Sequence, residues 1–435
     1  MSGSRLGRSV VHSTAGTALT RGLGAVAGIA IARLLGPSAR GDVAILVVLA
    51  SLASLVGAAG LQFWIIRDVA RRAAVTGRTV AVVMWHSAAV LVVAAVVGVA
   101  LAPLLVPDVL GAAALGTTVA FAATGAVAYV WLALPNGARA MGVVSIATAA
   151  ASAVYLAGAL VLLAADHPSV PLVMGLATAG NVVTIAICAA YVARHRDRAV
   201  TATDGVGGTW RAALRFGAAG GAGELVLFGM LRIDFLLVAM FMPPAAVGVY
   251  AVATALTELL WVVPDGTAQI ALPSAAATDA DALPAVFRIA LTLTFVAGVV
   301  LSLLAAPLLR IVFGPAYVPG ARAVPFLALA AVAGGAWKML ASDLAARHST
   351  RDRLTSAAAG LVTMVAADLV LIPAFGISGA AAGAALGYLV AASIVLRVWC
   401  ATTGRAARDL VGIRAGDVES VRSRPPVAMT SGGAS

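Results

Sequence analysis

The sequence predicts an all-α polytopic membrane protein in which twelve transmembrane helices form two six-helix lobes. Three observations support this fold class: twelve long apolar runs, basic residues that gather on alternate connectors, and two halves that resemble each other. With 62% apolar and only 11% charged residues, the 435-residue chain has too few charged side chains to cover a water-soluble globule. We therefore expect lipid to be its main solvent.

Each of the twelve apolar runs approaches the length of a membrane-spanning helix. Such a helix needs about 20 residues to cross a hydrocarbon core about 30 Å thick, and it satisfies its own backbone hydrogen bonds there. Because Arg21 interrupts the first run and no small-residue cleavage site follows it, we expect a helix rather than a cleaved signal peptide. The predicted spans are 13–35, 43–66, 79–101, 112–134, 142–164, 171–193, 217–241, 247–271, 287–309, 323–341, 355–373 and 379–401.

The basic residues between the spans are divided unevenly. Alternate connectors, together with the two ends of the chain, hold 22 of the 29 Lys and Arg residues when they are counted over 67–78, 135–141, 194–215, 273–288 and 338–354. The other connectors hold only Arg40, Arg310 and Arg322. Basic residues close to the ends of membrane spans are retained on the cytoplasmic side. The asymmetry therefore predicts that both termini are cytoplasmic.

The two halves of the chain are interpreted as repeats. The segment GPSARGDVAILV at 36–47 matches PPAAVGVYAVAT at 243–254 in hydropathy, and Arg139 matches Arg347 at nearly the same offset. Six spans per half is an even number, so both copies enter the membrane in the same direction and form parallel repeats. We expect the substrate path to lie between them.

This organisation divides the chain into five parts. A stretch rich in Arg and Gly between the sixth and seventh spans marks the boundary between the halves. The end of the chain lacks an apolar period and is expected to be disordered. The predicted parts are a cytoplasmic N-terminus (1–12), an N-terminal lobe (13–193), a cytoplasmic linker (194–216), a C-terminal lobe (217–401) and a disordered cytoplasmic tail (402–435).

Two arginines lie near the centres of predicted spans. An ionisable side chain there costs roughly 2.5–3.5 kcal/mol on insertion scales, so it needs a partner, a wet cavity or a role. Arg21 lies near the middle of the first span and Arg232 near the middle of the seventh. Because these spans correspond in the two repeats, a cavity between the halves could receive one positive charge from each wall. We predict that both arginines contact an anionic substrate, with structural ion pairs as the alternative.

Acidic residues in the predicted spans form a second group of candidates. Arg232 and Asp234 are two residues apart, about 200° around a helix axis, so they should face different directions. Asp234 could equally orient an arginine on another helix. Glu258 and Asp265 are seven residues apart and share a face, and Pro264 removes a backbone donor beside them. The candidates for coupling to a cation or proton are Glu224, Glu258, Asp265 and Asp368, with structural ion pairs again as the alternative.

Small residues at four-residue spacing predict close helix packing. In a membrane, such residues let helix backbones approach each other where lipid gives no hydrophobic drive to association. We interpret them as packing positions, with a hinge in alternating access as the alternative. They are Gly24 and Gly28, Gly217 and Gly221, and the series Gly379, Gly383 and Gly387.

No motif in the sequence predicts enzyme chemistry, a resident cofactor or a metal site. The chain has no phosphate-binding loop ending in Lys-Ser or Lys-Thr, and its five histidines lie on separate segments without metal-ligand spacing. The longest outer connectors, 102–111 and 310–322, are too short to fold the active-site loop of a membrane glycan polymerase or ligase. The formal charge of +11 comes from scattered arginines without an aromatic platform, which favours anionic lipid over nucleic acid as a partner.

Five blocks of the sequence, taken in order, match a known family. They are ARLLGPSARGDVAIL at 32–46, LRFGAAGGAGELVLFGMLRIDFLLVAMFM at 214–242, AVGVYAVATALTELL at 246–260, IVFGPAYVPGARAVPFLALA at 311–330 and LIPAFGISGAAAGAALGYL at 371–389. Together they resemble the polysaccharide-export branch of the multidrug/oligosaccharidyl-lipid/polysaccharide exporter (MOP) superfamily, which includes the Wzx-type oligosaccharide flippases. The resemblance covers about 13–400.

The resemblance implies a V-shaped, MATE- and MurJ-like pair of six-helix lobes around a cationic cavity. It implies movement of a polyprenyl-pyrophosphate-linked glycan from the inner to the outer leaflet by alternating access, for surface polysaccharide biosynthesis. The family's Arg-x-Asp pattern falls on Arg232 and Asp234, and its first-span cavity arginine falls on Arg21. The resemblance therefore implies that these three residues bind the substrate. Lys338 is the only lysine, and the family's cavity charges vary with the substrate, so the acidic candidates other than Asp234 are not matched to family positions.

The resemblance also implies partners and a location. We expect a polyprenyl-pyrophosphate-linked glycan, anionic lipids, a glycan polymerase and glycosyltransferases as partners, in the bacterial plasma (inner) membrane. The membrane potential or a H⁺ or Na⁺ gradient would supply the energy without a cofactor. One alternative is a MATE-like ion-coupled exporter of drugs or metabolites, whose cationic substrates would suit an acidic cavity better. A membrane glycan polymerase or ligase is less favoured.

Overall fold

The computed structural model describes residues 3–105, 111–197, 206–268, 283–347 and 350–410, together with 412, 414 and 417. Its helices are α1 (Gly3–Ala58), α2 (Leu61–Arg72), α3 (Gly77–Leu105), α4 (Ala112–Gly137), α5 (Met141–Ala164), α6 (Val170–His195), α7 (Val206–Phe241), α8 (Pro244–Thr257), α9 (262–268), α10 (Leu283–Leu308), α11 (Val324–Arg347), α12 (Thr350–Phe375) and α13 (Ile377–Thr403). Short 3-10 segments cover Glu258–Trp261, Pro315–Arg322 and Ala407–Leu410, and a π-helical turn covers Leu309–Phe313. The strands β1 (Val75–Thr76) and β2 (Arg196–Asp197) pair in parallel.

Ten helices in the described part of the chain are long and apolar enough to cross a membrane. One of them, Leu19–Ala58, has 40 residues, or about 60 Å of helix, and it is interrupted at Gly36, so it supplies two spans. Helix α7, with 36 residues, is not among these ten, and it contains the charged residues Glu224, Arg232 and Asp234. The described helices thus confirm a polytopic all-α membrane protein, and their number is consistent with the predicted twelve spans.

Helix α1 is interrupted at the boundary between the first two predicted spans. Gly36 has φ +68° and ψ 176°, a conformation that glycine adopts without the steric cost of a Cβ atom. Pro37 follows it, and proline suits the first turn of a helix because its missing N–H is not needed there. The Gly-Pro pair therefore ends one helical segment and begins the next.

The second predicted span, 43–66, is divided in the structure. Helix α1 ends at Ala58, and Ala59 and Gly60 have positive φ before α2 begins. A Cβ atom on Gly60 would lie 2.0 Å from the carbonyl oxygen of Gly217, so the two backbones touch at this point. Gly221 approaches the same turn, which confirms the predicted close packing of this glycine pair on α7.

The N-terminal unit, Ser9–Phe228, has its own apolar core. Helix α4 packs against α3 and α6, and α2 lies against α4. Since lipid gives helices no hydrophobic drive to associate, close contacts of this kind hold the unit together. The buried residues around α2 include Leu61, Ile65, Val69, Val130 and Leu134. This core fixes the position of α2 and leaves another side of the helix exposed.

The C-terminal unit takes in the described residues from Gly229 onward and contains the tightly packed hairpin of α12 and α13. A Cβ atom on Gly379 would lie 2.1 Å from the carbonyl oxygen of Leu371. One on Gly387 would lie 2.8 Å from the carbonyl oxygen of Gly360. The predicted close packing is therefore confirmed for this glycine series.

The predicted close packing is wrong for the first pair of glycines. No described atom lies within 4 Å of a Cβ atom added to Gly24 or Gly28. A side chain at either position would meet open space, so α1 does not use them to approach another described helix.

The division between the two compact units falls within α7, between Phe228 and Gly229. Helix α6 extends to His195 and α7 begins at Val206, so the described ends of the predicted linker are structured. The described part of the predicted tail is structured too: Ala407–Leu410 forms a 3-10 turn with Leu410 buried. The predicted limits of the lobes stay predictions.

Candidate functional site

An ion pair lies within the spans of the C-terminal unit. Arg232 Nη2 on α7 lies 2.9 Å from Glu258 Oε1, just after α8. Their side chains are 35% and 47% exposed, so the pair is not sealed inside a packed core. The guanidinium carbon of Arg232 also lies 5.6 Å from the centroid of the Phe235 ring, within the range of a cation–π contact. Arg232 is thus held by one carboxylate and one ring while part of its guanidinium stays accessible.

Asp234 faces another direction, as its two-residue separation from Arg232 predicts. Its Oδ2 accepts a hydrogen bond of 2.5 Å from the Tyr250 hydroxyl, and its Oδ1 accepts one of 2.9 Å from the backbone N–H of Phe235. Both Asp234 and Tyr250 are buried. The predicted difference in direction is therefore confirmed, and the Tyr250 contact joins α7 to α8.

Asp368 is a fully buried carboxylate on α12. A Cβ atom on Gly383 of α13 would lie 1.9 Å from Asp368 Oδ1, so the glycine leaves the space that the carboxylate occupies. Neither carboxylate oxygen has a hydrogen-bond partner among the described residues. Asp234 is close enough to repel it electrostatically. Burial and the charge of Asp234 both oppose a second negative charge, which favours a proton or a cation at Asp368.

The other acidic candidate on the eighth span has a cationic partner. Asp265 Oδ1 accepts a hydrogen bond from Lys338 Nζ of α11, the only lysine of the chain. Lys338 Nζ also lies 5.4 Å from the centroid of the Trp261 ring. A 3-10 segment, Glu258–Trp261, begins at the first of these acids and ends before the second. Such geometry inside a longer helix often marks a hinge. The two acids that were predicted to share a face, Glu258 and Asp265, are therefore each neutralised by a different cation.

In the N-terminal unit, Glu224 on α7 has a neutral partner. Its Oε2 accepts a hydrogen bond of 2.7 Å from Gln62 Nε2 at the start of α2. Arg21 lies on an exposed part of α1, and the hydroxyl of its neighbour Thr20 lies 3.5 Å from that of Thr148. The predicted joint action of Arg21 and the central arginine of the other unit stays a prediction.

The sequence does not single out three partners of the predicted site residues: Tyr250, Lys338 and Gln62. A signal for Tyr250 exists, because it lies eight residues after Met242 and Asp234 lies eight residues before it. In two antiparallel helices joined by a short turn, equal offsets from the turn bring residues to similar depth. Lys338 and Gln62 contact helices distant in sequence, and one sequence carries no signal for such pairs.

Two kinds of chemistry are available in the C-terminal unit. A partly exposed guanidinium can bind an anion through charge-assisted hydrogen bonds. A buried pair of carboxylates can hold a proton or a cation. Within the described ranges, no group of three or more His, Cys, Asp or Glu residues is placed to hold a metal ion.

Solved structures with the same fold are membrane transporters. The lipid II flippase MurJ, in an inward closed conformation, matches with a TM-score of 0.72 at 12% identity, covering 95% of this chain and 91% of MurJ. An inward-facing multidrug resistance MATE family transporter of the MOP superfamily matches with a TM-score of 0.67 at 17% identity, covering 88% and 94%. A mutant of the Vibrio cholerae MATE transporter VcmN matches with a TM-score of 0.63 at 17% identity, covering 93% and 98%. The chain thus has a MurJ- and MATE-like fold.

The family is set by the sequence match. The family described as polysaccharide biosynthesis protein matches residues 6–273, more than half of the chain. No curated protein matches the chain. The chain belongs to this polysaccharide biosynthesis family of the MOP superfamily, which confirms the resemblance found in the sequence.

Proposed function

We propose that this protein is a flippase that moves a polyprenyl-pyrophosphate-linked oligosaccharide from the inner to the outer leaflet for surface polysaccharide biosynthesis. The observation that carries the proposal is Arg232, a half-exposed cation inside a span whose carboxylate partner is itself half-exposed. A charge in such a place carries a cost of roughly 2.5–3.5 kcal/mol, which favours a functional role. A planar guanidinium binds phosphate groups through parallel hydrogen bonds. The polysaccharide family and the lipid II substrate of MurJ support this substrate class.

In the proposed cycle, the pyrophosphate replaces Glu258 as the partner of Arg232. Because the ion pair is half-exposed, this exchange does not require the packed core to open. Arg21, the counterpart in the sequence repeat, supplies a second positive charge, and the polyprenyl tail stays in lipid. During alternating access, the 3-10 segment Glu258–Trp261 changes its backbone geometry. This local change allows the helix on either side of the segment to move.

The membrane potential contributes to the drive. With the cell interior negative, outward movement of an anion is favoured by about 2.3 kcal/mol per charge per 100 mV. Two phosphate charges that remain unneutralised would therefore gain about twice that amount at 100 mV. Substrate export needs no hydrolysed nucleotide in this scheme.

Asp368 is the proposed site of coupling to an inward H⁺ or Na⁺ gradient. Its carboxylate is buried, lacks a hydrogen-bond partner among the described residues and lies near Asp234. A proton or cation bound between the two acids relieves their repulsion, and its release would restore it. The other three coupling candidates each have a hydrogen-bond or ion-pair partner: Glu224, Glu258 and Asp265.

The proposed setting is the bacterial plasma (inner) membrane, with both termini cytoplasmic. The excess of Lys and Arg on alternate connectors supports this orientation. Glycosyltransferases would build the lipid-linked glycan on the inner side, and a glycan polymerase would consume it on the outer side.

The test is transport in proteoliposomes that contain a fluorescent polyprenyl-pyrophosphate oligosaccharide. An impermeant quencher measures how fast the label crosses the bilayer. We expect Arg232→Gln to lower the initial rate about tenfold or more, because a hydrogen bond to a charged group contributes about 1.5–3 kcal/mol. The matched control is Arg310→Gln, an exposed arginine on a predicted outer connector, which should keep the wild-type rate.

Equal rates for Arg232→Gln and wild type would contradict the proposal. The recovered glycan should also be chemically unchanged, because a lengthened or transferred glycan would indicate a polymerase or ligase instead. Reconstituted amounts of each variant are compared by fluorescence gel filtration, so that a rate is always given per folded protein.

A MATE-like exporter of cationic drugs or metabolites is the second candidate. The buried acids Asp234 and Asp368 favour it, since carboxylates bind cations, and two of the three similar structures reported above are MATE transporters. This candidate predicts that the same proteoliposomes accumulate a cationic dye and leave the labelled glycan in place. In cells, deletion would change tolerance to toxic cations and leave the surface polysaccharide unaltered.

A further inference from the structure

Helix α2 has a buried side and an exposed side. Leu61 and Val69 are buried in the core of the N-terminal unit. Trp64, Arg67 and Arg71 follow one another at spacings of three and four residues, so they form a stripe along one side of the helix. Both arginines are exposed. The stripe lies at the end of the span that the charge pattern predicts to be cytoplasmic.

This stripe forms one wall of a surface cavity. Ala212 and Phe216, one turn apart on α7, form the opposite wall. The guanidinium carbon of Arg67 lies 4.4 Å from the centroid of the Phe216 ring, so the ring holds the guanidinium by its face and leaves its N–H edge available. The cavity volume of about 250 Å³ is below the roughly 300–1,000 Å³ of pockets for drug-sized ligands. It therefore suits a small chemical group and excludes a whole glycan.

The cavity has an excess of positive charge. Asp68 also lines it, but both of its oxygens are occupied. Its Oδ1 accepts a hydrogen bond of 2.9 Å from Arg72 Nε, and its Oδ2 accepts one of 2.7 Å from the Thr79 hydroxyl. Within the described part of the chain, neither Arg67 nor Arg71 has a carboxylate partner. Two unneutralised guanidinium groups thus share one small cavity.

We propose that this cavity binds a phosphate group, and that its source is the headgroup of an anionic membrane lipid. Two adjacent guanidinium groups provide the parallel charge-assisted hydrogen bonds that phosphate accepts. Trp64 and Phe216 give the site the aromatic lining typical of the interface between lipid and water. A lipid held there contacts α2 and α7 together. All of these residues belong to Ser9–Phe228, and none of them is part of the charged cluster of the C-terminal unit.

The test measures the thermal unfolding temperature of the full chain in phosphatidylcholine nanodiscs, with and without phosphatidylglycerol. Wild type is expected to unfold at a higher temperature when the anionic lipid is present. The variant Arg67→Gln/Arg71→Gln is expected to lose most of this increase. The matched control, Arg351→Gln/Arg353→Gln, makes the same change of charge at the start of α12 and should keep the increase.

A second arm distinguishes a lipid from a soluble ligand. Inorganic pyrophosphate is added to the phosphatidylcholine nanodiscs: a response to it alone, lost in Arg67→Gln/Arg71→Gln, supports the phosphate site and assigns it a soluble ligand. A response to phosphatidylglycerol lost in the same variant supports the lipid headgroup. Equal responses of wild type and this variant to both probes, or no response of wild type to either, would overturn the proposal.

A third variant covers the case in which the double substitution does not fold. Phe216→Leu keeps both charges and removes the ring that holds Arg67. With phosphatidylglycerol present, the unfolding temperature of this variant should rise by an amount between that of wild type and that of the double variant. An undiminished increase in Phe216→Leu, with the double variant unfolded, would also overturn the proposal.

Discussion

The two units carry their intramembrane charges differently. In the N-terminal unit, the acid Glu224 is bonded to the neutral Gln62, and Arg21 lies on an exposed part of α1. In the C-terminal unit, two cations and four acids lie in or beside the contacts that join α7, α8, α9, α11 and α12. They are Arg232, Lys338, Asp234, Glu258, Asp265 and Asp368. The two units therefore differ in the chemistry of their charged residues.

Helix order and site chemistry are therefore separate properties of the two units. Helix order follows from apolar length and turn residues, which both halves share. The costly buried charges are concentrated in one half, and there they are paired or packed against a glycine. Changes to the C-terminal contacts should therefore have larger effects than matched changes in the N-terminal unit.

The largest effect is expected for a methyl group in the α12–α13 hairpin. Gly379→Ala places Cβ 2.1 Å from the backbone oxygen of Leu371, which cannot move without shifting α12. Overpacking of this kind costs about 1–3 kcal/mol. The matched change in the N-terminal unit, Gly28→Ala, meets open space and should stabilise the helix by up to about 1 kcal/mol. The thermal unfolding temperatures of both variants are measured in detergent. Equal shifts from the wild-type temperature would contradict the difference in packing.

The next effect is expected from the loss of one hydroxyl group. Tyr250→Phe removes a donor from the buried Asp234 and should lower the free energy of unfolding by about 1–3 kcal/mol. The control is Tyr129→Phe in the N-terminal unit, where the tyrosine is 45% exposed and the change should stay within about 0.5 kcal/mol. A chemical denaturation series compares the two. A larger decrease in the free energy of unfolding for Tyr129→Phe than for Tyr250→Phe would contradict this prediction.

A smaller effect is expected for the Lys338–Asp265 ion pair. The lysine side chain is 35% exposed, so solvent weakens the interaction. A double-mutant cycle of Lys338→Met and Asp265→Asn should give a coupling free energy of about 1 kcal/mol. The same cycle with Gln62→Leu and Glu224→Gln measures the N-terminal contact, which lacks a cation. Greater salt sensitivity is expected for the first cycle; the opposite result would show that its charges do not interact.

The smallest effect is a local one at the end of the chain. Hydrogen bonds from Arg288, and then from the Arg414 backbone, lower the pKa of Asp417 from 3.8 to about 2. Because the folded pKa lies below the unfolded value, the ionised carboxylate stabilises the attached tail fully above about pH 4, and this contribution is lost as the pH falls through about 2. Its neighbour Asp409 also has a lowered pKa because Arg414 donates to it.

Hydrogen exchange of a peptide covering 404–410 measures this attachment. After correction for intrinsic rates, protection should be constant between about pH 5 and pH 8 and should fall only at more acidic pH. Asp417→Asn should lower protection throughout and leave the N-terminal unit unchanged. Loss of protection near neutral pH in wild type would contradict the assigned role of Asp417.

Much of the helix order could be predicted from sequence because local features determine it. The first span was expected to end at Leu35, and Gly36 and Pro37 do interrupt α1 there. The break at Ala59 and Gly60 was not predicted, since it depends on the backbone of α7, more than 150 residues away. Gly24 and Gly28 have the same spacing as true packing glycines, so spacing alone does not reveal whether a partner helix is present.

The site was predictable in part. The charges of Arg232 and Asp368 could be identified because charge inside an apolar run is rare and unfavourable. Their contacts could not be identified, because they depend on which helices are neighbours. The two acids Glu258 and Asp265 share a face in sequence, yet each has a cation from a different helix.

The central claim is that Arg232 serves the substrate rather than the neutralisation of Glu258. The most direct measurement is the flipping rate of the labelled polyprenyl-pyrophosphate oligosaccharide by Arg232→Gln/Glu258→Gln, beside Arg232→Gln and wild type. This double variant removes both charges of the pair, so no carboxylate is left without its cation. If Arg232 serves the substrate, the double variant should stay about tenfold or more below wild type. Recovery to the wild-type rate would contradict this role, because Arg232 would then act only as the partner of Glu258.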